Sequence, residues 1–109
     1  MIHRLVLDPA IVRPSGLKGF DFARMGMPFV VREQWIYTLP PGVAGGNHRH
    51  PRQEAFIALS PDMVIEWLDE NQCKHREGMY TEGQMKIFWT DPFVPVSYTH
   101  LTLPTNREV

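Results

Sequence analysis

Three side chains in one short stretch carry the clearest chemistry of the chain. His48 and His50 stand two apart, and Glu54 follows four residues after the second histidine. On a strand, residues i and i+2 point to the same face, so both imidazoles can reach one point. Glu54 cannot join them along a straight strand, because six residues at roughly 3.3 Å each put its Cα about 20 Å from that of His48. Ligand atoms must approach a shared ion to within about 2.0–2.3 Å. The chain must therefore turn between His50 and Glu54. Pro51 stands where such a turn begins, since it donates no ladder hydrogen bond. Two imidazoles and a carboxylate converging from a strand–turn–strand unit make a mixed nitrogen–oxygen donor set for a divalent metal. The plainer reading is a pair of surface histidines beside Asn47 and Arg49, with Glu54 as a charged residue where a strand starts.

The elements that must position these groups are short strands. Ten prolines and eight glycines punctuate the 109 residues. Between them lie runs rich in β-branched and aromatic residues, which argues for an all-β barrel or sandwich. The pattern predicts a first strand at Ile2–Leu7 and a long loop or arm over residues 8–27. Its strongest strand is Phe29–Leu39, ended by Pro40-Pro41-Gly42. A short strand carries His48 and His50, and another covers Glu54–Leu59 after the Pro51 turn. Met63–Leu68 and Cys73–Met79 form a hairpin across the polar loop Asp69-Glu70-Asn71-Gln72. Thr81-Glu82-Gly83 turns the chain into a last strand at Gln84–Trp89. No apolar pattern holds a 3.6-residue period for long, so little or no helix is expected.

The stretch from Gly42 to Glu54 resembles the first motif of the cupin superfamily, G-x5-H-x-H-x3-E-x6-G. Gly42, His48, His50 and Glu54 occupy the required positions, and Pro61 stands where the motif has its last glycine. The joint register of the four favours the metal reading over the plainer one. The resemblance implies a double-stranded β-helix (jelly-roll) barrel with a divalent ion held by His48, His50 and Glu54. It also implies a fourth ligand, a histidine, from a second motif late in the chain. Gly83 to Pro95 looks like the approach to that motif. Ligand type alone leaves Fe, Mn, Zn and Ni open.

The run Gly46-Asn47-His48-Arg49-His50-Pro51 is similar to cupins of sugar and sugar-nucleotide metabolism. It implies isomerisation or epimerisation of a carbonyl sugar. An iron-dependent dioxygenase would use the same ligands, and a non-catalytic cupin would only bind its small molecule. Arg32, Arg49, Arg52 and Lys86 are candidates for holding an anionic substrate, although solvated surface charge is their commoner fate. Tyr37 and Tyr80 are candidate proton donors. Trp35, Phe56, Trp67, Phe88 and Trp89 are expected to pack the barrel, some of them lining its mouth. His3 and His75 are expected as exposed strand residues, and Cys73 as an unreactive hairpin residue.

Composition sets the outer bounds. The length allows one domain at most. A net charge of −1 gives no reason to expect nucleic acid or an anionic membrane surface as partner. The single cysteine excludes an internal disulfide framework and fits a reducing compartment. The polar start does not read as a signal peptide, so the cytoplasm is the expected location. The cupins that this chain resembles are often dimers, which implies a homodimer for the complete protein.

The end of the chain reads differently. Residues Val96 to Thr105, read back through the genetic code, match the transposase mosaic-end adapter of sequencing libraries in one frame. On that reading the domain covers 1–95 and is cut short, residues 96–109 are a non-native tail, and His100 is no ligand. A poorly packed tail from about Val96 and an unpaired sheet edge are then expected.

Overall fold

The computed structural model describes residues 2–26, 29–48 and 51–101, without the side chains of Arg24, Met25, Asn47 and His48. The chain is all-β, with no α-helix among the described residues. Strands β1 (Ile2–Leu7), β2 (Ile11–Val12) and β3 (Lys18–Gly19) come first, followed by a 3-10 turn at Phe22–Met25. Then come β4 (Ala44–His48), β5 (Ala55–Ile57), β6 (Met63–Leu68), β7 (Lys74–Gly78), β8 (Met85–Thr90) and β9 (Val96–His100). They form a three-stranded sheet ordered β1-β8-β5, a four-stranded sheet ordered β4-β9-β6-β7, and the small ribbon β2-β3. Every pairing is antiparallel. Among the described residues, none of the sheets closes into a barrel.

The two larger sheets share one core. Ile65 of β6, Phe88 of β8 and Val96 of β9 meet with Met79 in a single buried cluster. Ile2, Phe56, Trp67, Val94 and Tyr98 pack around it. Successive residues of a strand point to opposite faces, yet Ile87 and Phe88 are both 0% exposed. The central strand β8 is therefore covered on both sides. One edge of the sandwich is fastened by charge. Glu77 of β7 accepts from Arg4 of β1 (3.0 Å) and from Lys86 of β8 (2.6 Å), so one carboxylate ties two strands of the opposite sheet. Lys86 also donates to the Gly78 carbonyl and lies over the Phe88 ring.

Several expected elements are present. β1 has the predicted bounds, and β6 and β7 form the predicted hairpin across Asp69 to Gln72. Gly83 turns with φ +83°, beside the Thr81–Gln84 bridge, ahead of β8. The predicted arm over 8–27 does hold order, in the β2-β3 ribbon and the 3-10 turn.

The largest correction concerns Phe29–Leu39. This stretch forms no strand, and most of its apolar residues face solvent: Val30 is 77% exposed, Trp35 71% and Ile36 83%. Trp35 is therefore not barrel packing. Strand preference is a preference for a pleated, half-buried surface, and among the described residues no strand pairs with this stretch. The tail is corrected too. Val96–His100 is an inner strand between β4 and β6, and Val96 is only 6% exposed. The sequence Val-Ser-Tyr-Thr-His alternates strand-favouring residues, and a ladder built from main-chain bonds accepts any such run. Pairing and the codon-level match are therefore separate facts about the same residues.

Candidate functional site

The two halves of the motif lie in different sheets. β4 belongs to the four-stranded sheet and β5 to the three-stranded one, so the chain crosses between sheets from 49 to 54. His48 ends β4, where its Cα pairs with that of Val96 after a bulge that begins at Gly46. His50 and Arg49 lie outside the described residues. Glu54 is half-buried just before β5, and its carbonyl accepts the Thr90 amide (2.9 Å). His48 and Glu54 are thus joined by a change of sheet and not by a hairpin.

Glycine shapes the wall of this region. A Cβ at Gly45 would strike the Tyr98 ring, and one at Gly46 would meet the Val96 carbonyl at 2.6 Å. Gly46 also has φ +80°, which side chains with a Cβ rarely adopt. The absence of side chains there lets Tyr98 lie flat over β4. Tyr98 in turn stacks on Tyr37 (6.5 Å) and meets Phe56 at a tilt (5.7 Å), and Tyr37 stacks on Trp35 (6.3 Å). Burial, then the neighbouring Tyr37 phenol and the Glu54 carboxylate, push the Tyr98 hydroxyl above its ordinary range. Sequence reasoning assigned Tyr98 to the tail and missed it.

Among the described residues, no three His, Cys, Asp or Glu side chains gather closely enough to hold a metal. The donor types of His48, His50 and Glu54 fit a divalent ion. Two of the other candidates, Tyr80 and Lys86, are engaged elsewhere. Tyr80 donates to Glu82 (3.3 Å), and Lys86 is bound to Glu77. Cys73 is exposed, with its thiol 3.9 Å from the Asn71 carbonyl. His100 donates through Nδ1 to the Leu39 carbonyl (2.6 Å), which anchors the end of the exposed stretch.

His3 and His75 are more than exposed strand residues. His75 stacks on Trp67 (5.3 Å) and donates through Nε2 to Asp69 (2.8 Å). His3, half-buried, stacks on Trp89 (5.2 Å) and donates through Nε2 to Asp91 (2.9 Å). A carboxylate only accepts, so Nε2 carries the proton in both. The repeated Trp-x-Asp at 67–69 and 89–91 was the sequence signal for these corners.

The chain matches no family model, no curated protein and no solved structure. No helix among the described residues is long and apolar enough to cross a membrane.

Proposed function

We propose that this chain is a metal-dependent cupin acting on a small molecule, by isomerising or epimerising a carbonyl sugar. The observation that carries the reading is the motif from Gly42 to Glu54 laid across two sheets that share one core. His48 closes a strand of one sheet, and Glu54 opens a strand of the other. The wiring supports a jelly-roll relationship: from β4 to β9 the chain changes sheet at every step except the β6–β7 hairpin.

His48, His50 and Glu54 would hold the ion and leave positions open on it. When bound, such an ion polarises a carbonyl oxygen and makes a proton on the adjacent carbon easier to remove.

Metal analysis of the purified protein tests the reading first. About one divalent ion per chain is expected, falling to a small fraction in His48→Ala and in Glu54→Ala. Unchanged content in both variants would remove them as ligands. Transfer of solvent deuterium to the carbon beside a sugar carbonyl tests the activity. Metal without turnover across a panel of sugars leaves a binding cupin, and substrate-dependent oxygen consumption with bound iron indicates a dioxygenase.

A further inference from the structure

The stretch Phe29–Leu39 has the geometry of a strand without a strand's neighbours. Trp35 donates through Nε1 to Glu33 (3.3 Å) and stacks on Tyr37 (6.3 Å). Glu33, Trp35 and Tyr37 therefore share one side at intervals of two, as they do on an extended strand. Among the described residues, no strand pairs with this stretch. Val30, Val31, Trp35, Ile36 and Tyr37 are all exposed. Contiguous apolar surface beyond a few hundred Å² marks an interaction site, and two aromatics of about 150–250 Å² each bring this patch into that range.

The order of the residues names the partner. Phe29-Val30-Val31 is apolar, Arg32-Glu33-Gln34 polar and Trp35-Ile36-Tyr37 apolar again, so the pattern is the same in both directions from Glu33. Two identical antiparallel strands related by a two-fold axis must set one residue opposite its own copy, because opposed residues share a face. With Glu33 on the axis, Val31 lies opposite Trp35, Val30 opposite Ile36 and Phe29 opposite Tyr37, each pair formed twice. Arg32 lies opposite Gln34. An axis at Gln34 would instead set Arg32 against Ile36, and an axis at Arg32 would set Val31 against Glu33. We propose that residues 29–37 of two copies of this chain pair antiparallel about a two-fold axis at Glu33, forming a homodimer. The two Glu33 carboxylates then face each other, a like-charge meeting that makes the register testable. This pairing does not depend on the metal reading, since none of the motif residues takes part.

Sedimentation equilibrium on the full chain tests the proposal. A reversible dimer is expected, with a dissociation constant on the order of 10 μM, as suits an interface at the lower end of the usual size. Trp35→Ser is expected to weaken it at least about tenfold. The thermal midpoint of the dilute protein should stay level in that variant, because Trp35 is 71% exposed. Glu33→Gln removes the like-charge pair and is expected to tighten the dimer about fivefold. Glu70→Gln, which changes net charge equally, should leave it unaltered. An equal mixture of the unsubstituted chain and Glu33→Arg should hold more heterodimer than random pairing gives, as counted by native mass spectrometry. A monomer at about 100 μM, a full-strength dimer in Trp35→Ser, equal effects of Glu33→Gln and Glu70→Gln, or heterodimer at the random share would each overturn the proposal.

Discussion

The molecule builds the same corner twice. In each, a tryptophan near the end of a strand sits opposite a histidine on its neighbour, and an aspartate two residues after the tryptophan holds the imidazole. Trp67 pairs with His75 in the β6–β7 hairpin, and Trp89 pairs with His3 across β8 and β1. The differences lie in what each corner closes. His75 and Asp69 are six residues apart, and Asp69 also accepts two loop amides, so this corner caps a local turn. His3 and Asp91 are 88 residues apart, and their bond helps to fix the first strand against the sheet. Trp67 packs on the core, whereas Trp89 follows the fully buried Phe88 and so faces the opposite side of β8. One chemical device thus serves a turn in one place and chain closure in another.

The severest way to separate the corners is to end the chain at Pro95. This removes β9, on whose Val96 the hairpin corner leans through Trp67, but leaves the β1–β8 pairing intact. Loss of an inner strand outweighs the roughly 5–15 kcal/mol that holds a small domain together. A cooperative thermal transition should therefore disappear, as followed by near-ultraviolet circular dichroism. A retained sharp transition would show that residues 96–109 contribute no strand.

A milder contrast compares Asp69→Ala with Asp91→Asn. Asp69→Ala leaves two loop amides and an imidazole without their acceptor. It should lower the thermal midpoint by several degrees and speed exchange of the Asn71 and Cys73 amides. Asp91→Asn should shift the midpoint less and loosen only β1, which amide exchange over Ile2–Leu7 would report. Equal midpoints in the two variants would erase the distinction between turn and clasp.

The smallest effect is on pH dependence. The His75 hydrogen bond, then the Cys73 amide, lower the Asp69 pKa below its ordinary 3.8, and the His3 hydrogen bond lowers that of Asp91. A depressed carboxylate adds stability that is fully present above the unfolded value. That stability fades as pH falls through the lower, folded value. Melting curves from about pH 5 downward should show this loss. Its slope should flatten in the double variant Asp69→Asn, Asp91→Asn.

What the sequence revealed follows contact distance. β1, the β6–β7 hairpin and the Gly83 turn were legible because turn residues and alternation act over a few positions. The same local logic misplaced Phe29–Leu39, whose composition favours a strand but which has no partner to complete a ladder. It also said nothing of Tyr98 against Gly45 and Gly46, or of Glu77 between Arg4 and Lys86, since both meetings join distant strands. For the candidate site, the change of sheet between His48 and Glu54 was not readable, because the sheet a strand joins is decided by distant partners.

The Glu77 fastening makes the sandwich behave like a bound book. On one side, the edge strands β4 and β5 are joined by the covalent stretch 49–54, a spine that no solvent condition can undo. On the other, edge strands β1 and β7 meet through the ionic contact of Arg4 and Glu77, a clasp that dissolved ions compete for. The pages would therefore part from the clasp side, and the motif, lying along the spine, would be the last region to feel it.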